Sequence, residues 1–85
     1  MQDVMTSTVN ALIAEGNRDV AKFAWTAPHL IRKGEPSMVV GRPGGVYTFE
    51  DDGRTLVLPL PKECPKLYAC RNETGGATVM LAEEY

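Results

Sequence analysis

Histidine, cysteine and tryptophan are scarce in this chain of 85 residues, which holds one, two and one of them. A structural zinc site needs four ligands, and His29 with the two cysteines supplies only three. A histidine-based triad would have to use His29, with Cys64 or Cys70 as the nucleophile. Glu63 or Asp52 would then supply the acid. Nothing in the spacing of these residues supports a triad, so we expect no enzyme, no metal and no cofactor.

Long apolar runs and an apolar leader segment are also missing. No run is long enough to cross a bilayer, and the N-terminus carries Asp3 where a secretory signal has basic residues. We therefore expect no membrane partner and a cytoplasmic location, either in a host cytoplasm or in a particle assembled there. In that reducing compartment Cys64 and Cys70 are expected as free thiols, although their six-residue separation also permits a disulfide.

An excess of positive charge is absent as well. The formal net charge is −2, and residues 46–85 hold four basic against seven acidic side chains. A dedicated nucleic-acid binder needs a strong positive field, so this balance argues against a nucleic-acid partner. The length and the 44% hydrophobic content predict one small globular domain over residues 1–85.

The first third of the chain has the apolar period of a helix. Apolar residues recur at spacings of three and four: Met5, Val9, Leu12 and Ile13. Gly16 is placed to end this helix, and Asn17 can begin a second one. A second start signal at Thr26 and Pro28 predicts that the second helix is broken near Trp25. The helical part is thus expected over residues 1–34.

Alternating polarity replaces the helical period after residue 37. Residues 45–60 predict a β-hairpin with its turn at residues 51–54, because Asp-Gly between alternating runs favours a tight turn. Phe49 should then lie opposite Leu56. The face expected to be buried carries the large side chains of both strands: Tyr47, Phe49, Leu56, Leu58 and Leu60. A turn at residues 42–45 predicts a third strand, with Met38 and Val40 on that same face.

A second hairpin is predicted from residues 67–71 and 77–81 around the polar loop 72–76. The β part then spans residues 37–81, and residues 82–85 form a tail expected to fray. The predicted fold class is α+β, with two N-terminal helices packed on an antiparallel meander of about five strands.

Two turn-linked features near the C-terminus suggest a family. The strand that begins at residue 55 ends in Leu-Pro, and the hairpin after it turns through Asn72-Glu-Thr-Gly-Gly76. Over residues 55–81 this pattern resembles the β-rich tail and fibre modules of tailed-phage virions. The resemblance implies a phage or prophage origin, a non-catalytic role and a homo-oligomer. It brings no catalytic residues.

Protein binding is the leading functional hypothesis, with the chain itself or a host enzyme as the partner. A sheet covered on one side leaves apolar side chains elsewhere, and apolar patches mark protein interfaces. The side chains expected to be partly exposed in this way are Trp25, Val39, Val46, Val57 and Tyr68.

An acidic cluster supports the first alternative hypothesis. Glu50, Asp51 and Asp52 lie at the predicted hairpin tip, where carboxylates commonly serve as solvated turn formers. The same three charges could instead enter a basic site on a host enzyme. The chain would then be a phage-encoded inhibitor.

A winged helix-turn-helix is the second alternative. Residues 19–24 would form its first helix and residues 26–33 its recognition helix, followed by the hairpin as a wing. The side chains facing DNA would be Thr26, His29, Arg32 and Lys33. Trp25 stands where such a turn usually has glycine, and the acidic wing would face phosphate.

Overall fold

A computed structural model describes residues 2–34, 36–50 and 53–85, and in them two helices pack on one face of a six-stranded mixed sheet. The elements in chain order are β1 (Val4–Met5), α1 (Ser7–Ala14), α2 (Arg18–Arg32), β2 (Met38–Pro43), β3 (Thr48–Glu50), β4 (Thr55–Leu60), β5 (Leu67–Arg71), β6 (Ala77–Leu81) and a 3₁₀ turn (Ala82–Glu84). The predicted α+β class is confirmed.

Both helices begin at a side-chain cap. The Thr6 hydroxyl accepts a hydrogen bond from the N–H of Val9, and the Asn17 side-chain oxygen accepts one from the N–H of Val20. Gly16, with φ of 93°, lies between the helices in the left-handed conformation that its sequence position predicts. The start signals at residues 6 and 17 thus define α1 and α2.

The predicted break near Trp25 is wrong, because α2 runs unbroken from Arg18 to Arg32. Its buried stripe holds Val20, Phe23, Ala27 and Ile31, each fully or almost fully shielded by the sheet. This packing on both sides of Pro28 stabilises the helix through a residue that lacks the N–H for its own turn. Arg71 supports the far end by donating a hydrogen bond to the Ile31 carbonyl at 2.7 Å.

The sheet has the strand order β1-β6-β5-β2-β4-β3. The two predicted hairpins, β3–β4 and β5–β6, are present, and Phe49 lies opposite Leu56 as expected. The prediction of an antiparallel meander of about five strands is wrong. β2 pairs with β4 in parallel, and β1 pairs with β6 in parallel as a sixth strand.

The turn at residues 42–45 explains the mixed sheet. Gly44 has φ of 68° and donates its N–H to the Leu60 carbonyl at 2.9 Å, while Gly45 donates to Arg42 at 3.0 Å. Because β2 and β4 are parallel, both strands end here. The chain therefore crosses the end of β4 and returns on its far side as β3. A glycine turn is compatible with such a crossing as well as with a hairpin, so the sequence pattern does not distinguish the two.

The two faces of the sheet differ from the predicted ones in β2 but not in β4, whose Leu56, Leu58 and Leu60 pack on the core as expected. The face under the helices carries Val39, Leu56, Ala69 and Val79, all buried. We call the opposite face the open face; its apolar side chains are Met38, Val40, Val57, Tyr68, Cys70 and Met80. Met38 and Val40 thus lie on the other face from Phe49. Tyr47 and Phe49, expected to be buried, are 63% and 48% exposed, because β3 is an edge strand.

The chain ends are tied together. The side chain of Asp3 accepts a hydrogen bond from the Ala77 N–H at 3.0 Å, beside β1. Residues 82–84, expected to fray, form the 3₁₀ turn, and the Glu84 carboxylate accepts a hydrogen bond from the Thr6 hydroxyl at 2.8 Å. The prediction that residues 1–34 form a helical part is therefore only partly right, because β1 lies within them and joins the sheet.

Candidate protein-binding site

The outer surface of α2 carries a line of basic and aromatic side chains. Arg18, Lys22, Trp25, His29 and Lys33 follow one another at spacings of four, three, four and four, which places them on one helix face. We call these five residues the α2 stripe. The buried face of the same helix points at the sheet, so the α2 stripe faces outward.

Trp25 is the centre of the α2 stripe and is 86% exposed. It is the only tryptophan of the chain. A large indole left in water is uncommon on a small domain, and tryptophan is among the residues most enriched at energetic centres of protein interfaces. Trp25 is therefore the strongest single candidate for a contact residue.

Two surface grooves flank α2 beside this tryptophan. One, of about 630 Å³, lies between the helix and the N-terminal segment and is lined by Asp3, Trp25, Pro28, His29 and Arg32 among others. The other, of about 400 Å³, lies between the helix and the end of β4 and includes Phe23, Leu58 and Leu60. Thr26 lines both grooves. A partner that covers Trp25 would thus meet a groove on each side of the helix.

Positive charge is concentrated on this helix. Arg18, Lys22, Arg32 and Lys33 are four of the nine basic residues, although the chain as a whole is acidic. The Arg32 guanidinium forms an ion pair with the Asp3 carboxylate across the larger groove. Asp19 is the only acidic residue within α2. The α2 surface is therefore positively charged within an acidic chain.

The open face of the sheet is less available than its composition suggests. Arg42 and Glu50 form an ion pair at 3.4 Å across β4, and Val57, which lies between them in the register, is fully buried. The Lys66 ammonium lies over the Tyr68 ring, 5.5 Å from its centre, and the Tyr85 ring contacts Tyr68 edge-to-face with ring centres 5.2 Å apart. The chain's own polar and aromatic side chains thus cover much of this face.

The predicted contact residues separate into three groups. Trp25 and Val46 are exposed as expected, and Tyr68 is half-buried. The expected exposure of Val39 and Val57 is wrong, since both are fully buried. Val39 lies on the face beneath the helices, and Val57 lies beneath the Arg42–Glu50 pair.

The acidic hairpin tip and the predicted recognition helix have different outcomes. Glu50 is half-buried and paired with Arg42, while Asp51 and Asp52 lie outside the described residues. Thr26, His29, Arg32 and Lys33 belong to α2 and its C-cap, with no turn between them and residue 19. The two short helices that a helix-turn-helix requires are therefore one helix.

Both thiols are free, and both have a raised pKa. Burial is the main cause for Cys64, and the negative charge of Asp19 raises its pKa further; burial alone does so for Cys70. A raised pKa leaves less of the nucleophilic thiolate near neutral pH. Neither thiol thus has the environment of an activated nucleophile.

Within residues 2–34, 36–50 and 53–85, no three histidine, cysteine or acidic side chains lie close enough together to hold a metal ion. None of the helices described is long and apolar enough to span a membrane. A comparison of the chain with protein families, with curated proteins and with solved structures found no match. Family membership therefore contributes nothing to a functional assignment, which depends on the surfaces described above.

The α2 stripe could have been predicted from the sequence. Its spacing can be read directly from residues 18–33, but a helix assumed to break near Trp25 divides the stripe into two unrelated halves. The exposed β3 edge could not have been predicted from the sequence, because its exposure depends on which strand lies between β2 and β3.

Proposed function

We propose that this chain is a non-catalytic protein-binding module that engages an acidic protein surface through the α2 stripe. The single observation that carries the proposal is the 86% exposure of Trp25 at the centre of a basic helix face. A matching partner offers an apolar pocket for the indole with carboxylates around it.

The energetic share of Trp25 is expected to be large. A tryptophan side chain buries about 150–250 Å² on docking, and truncation of such an anchor costs about 2 kcal/mol or more in binding free energy. That cost corresponds to about thirty-fold weaker affinity. The basic residues around it act mainly on partner choice and on the rate of association, and their contribution should fall with salt.

The phage or prophage origin belongs to the same proposal. The resemblance of residues 55–81 to virion modules of tailed phages supports a place in, or beside, such a particle, where small accessory chains act by contact. An inhibitor of a host enzyme is a variant of this proposal in which the partner is that enzyme. Its acidic-hairpin form has less support, because Glu50 is already paired with Arg42.

The test uses the fluorescence of the only tryptophan. The tagged chain is used to capture a protein from the cells in which the chain is naturally produced. The captured protein is then purified and titrated against the free chain. We expect a blue shift and protection from acrylamide quenching as Trp25 leaves water. Trp25→Ala should weaken binding in calorimetry by about thirty-fold or more, whereas Tyr85→Ala, which removes an exposed aromatic outside α2, should not.

Two results would overturn the proposal. One is equal affinity of Trp25→Ala and the unsubstituted chain for the purified partner. The other is a blue shift with a single-stranded DNA oligonucleotide or with anionic lipid vesicles that matches or exceeds the shift with protein, since the α2 stripe would then serve another class of ligand.

A further inference from the structure

The edge strand β3 and the two residues before it carry exposed apolar side chains. Val46, Tyr47 and Phe49 are 72%, 63% and 48% exposed, although residues of these types favour the interior of a sheet. β3 pairs with β4 on one side and ends the sheet on the other. Its outward N–H and C=O groups are therefore a template for another strand.

Residues 46–50 contain no lysine and no proline, two residue types that commonly protect a sheet edge. The only charge in this segment is that of Glu50, and Arg42 already pairs with it. At the opposite edge, β1 is only two residues long. β3, with three residues, is the longer of the two edges and is therefore the better able to accept a strand.

We propose that β3 pairs with β3 of a second copy of this chain, antiparallel and with the two Thr48 residues facing each other on the two-fold axis. Tyr47 then lies opposite the second copy's Phe49, and Phe49 opposite the second copy's Tyr47. Aromatic pairs and threonine pairs are among the favourable cross-strand contacts. The segment is self-complementary in this register, so the same patch serves both copies.

The register is also consistent with the backbone and with the helix layers. It pairs odd-numbered residues with odd and even with even, so the outward-pointing groups of one edge meet those of the other. The two helix layers lie on the same side of one continuous sheet. Tyr47 and Phe49 already contact each other edge-to-face, with ring centres 6.3 Å apart, and the two pairs together form a four-ring cluster.

Among the residues that the structure describes, charge does not oppose this pairing. Glu50 lies opposite the second copy's Val46, and the two Glu50 residues are four positions apart along the strands. At about 3.3 Å per residue, that is roughly 13 Å, which exceeds the Debye length of about 8 Å at physiological salt. A head-to-tail chain of β3 onto β1 would need a longer β1, so a closed dimer is favoured over a filament.

A site-directed disulfide tests the register. In a Cys70→Ser background, Thr48→Cys places two thiols across the two-fold axis, within disulfide reach. Val46→Cys is the matched control, because its thiols lie four positions apart. We expect Thr48→Cys to form the covalent dimer at least about tenfold faster than Val46→Cys under mild oxidation.

Sedimentation velocity tests the dimer without added thiols. The unsubstituted chain should pass from monomer to dimer as its concentration rises, and Tyr47→Lys should remain monomeric with an unchanged circular dichroism spectrum, since its side chain is largely exposed. Trp25→Ala should dimerise normally, because the α2 stripe is a separate surface. If the chain does not dimerise, the proposed function of the α2 stripe is unaffected. If Trp25→Ala does not weaken partner binding, the proposed dimer is unaffected.

The proposal is overturned by a monomer at all concentrations, by a dimer that persists in Tyr47→Lys, or by equal crosslinking of Thr48→Cys and Val46→Cys. A Tyr47→Lys variant that has lost its fold would be replaced by Thr48→Lys, which sets two like charges directly opposite each other on the two-fold axis.

Discussion

Arg42 and Glu50 bridge a strand that lies between them. Arg42 extends from β2 and Glu50 from β3, and their side chains meet at 3.4 Å on the open face. In the β4 register, Arg42 is level with Pro59 and Glu50 with Thr55, so the bridge passes over Val57. An ion pair at the surface thus takes the place of an apolar layer on this side of the sheet.

This bridge should contribute modestly to stability. Arg42→Ala and Glu50→Ala should each lower the free energy of unfolding by about 0.5–1 kcal/mol, because both side chains are 42% exposed and solvent screens their attraction. Denaturant titration of the two single variants and the double variant isolates the pair. The coupling should shrink in 1 M salt. Additive losses at low salt would show that the two residues act only through their own contacts.

The close approach of β2 to α2 depends on Gly41. A Cβ at this position would lie 2.7 Å from Leu60 Cδ1 and 3.0 Å from two ring carbons of Phe23. Gly41→Ala should therefore destabilise the chain by about 1–3 kcal/mol through overpacking.

Leu60→Ala provides the control for that steric cause. It removes the atom that the new Cβ would meet, so the double variant should be more stable than the sum of the two single losses predicts. Thermal unfolding by circular dichroism measures all three variants. A fully additive double variant would mean that Gly41 matters for a reason other than contact with Leu60.

Local signals in the sequence predicted the fold's parts well and its assembly poorly. The cap at Asn17 and the Phe49–Leu56 pairing follow from chemistry within a few residues, and the structure confirms them. Pairing between β2 and β4 depends on a crossing that Gly44 permits but does not require. Strand order is decided by the whole core, and a single turn cannot encode it.

The candidate site follows the same division. The exposure of Trp25 was predictable, because its neighbours on the helix period are basic. The burial of Val57 was not, since Val57 lies on the open face, away from the helices. The alternation predicts the wrong face for Val39, because it assumes a hairpin at residues 42–45 that the chain does not form.

Thiol reactivity should distinguish the two cysteines. Burial raises the pKa of both thiols, and the Asp19 carboxylate raises that of Cys64 further. Because the thiolate is the reactive form, we expect slow alkylation at pH 7 that accelerates as pH rises. Half-buried Cys70 should react before buried Cys64. Mass spectrometry after iodoacetamide treatment, with peptide mapping, measures the two rates.

Asp19→Asn tests the electrostatic part of this prediction. Removal of the negative charge should lower the pKa of Cys64 and shift its rate profile toward lower pH, with the profile of Cys70 unchanged. A Cys64 profile that does not move would mean that the charge of Asp19 does not contribute to the raised pKa.

Glu84 should make the stability of the chain depend on acid pH. Hydrogen bonds from the Leu81 N–H at 3.0 Å and then from the Thr6 hydroxyl at 2.8 Å hold the pKa of Glu84 below its usual value of 4.5. A carboxyl whose pKa is lowered in the folded state stabilises that state fully when the pH is above the ordinary pKa. This contribution is lost as the pH falls below the ordinary pKa and through the lowered one. Glu84→Gln should therefore flatten the fall of the urea midpoint between pH 6 and pH 3. Glu83→Gln, which leaves these hydrogen bonds in place, should keep the unsubstituted slope, and identical slopes for all three chains would contradict the assignment.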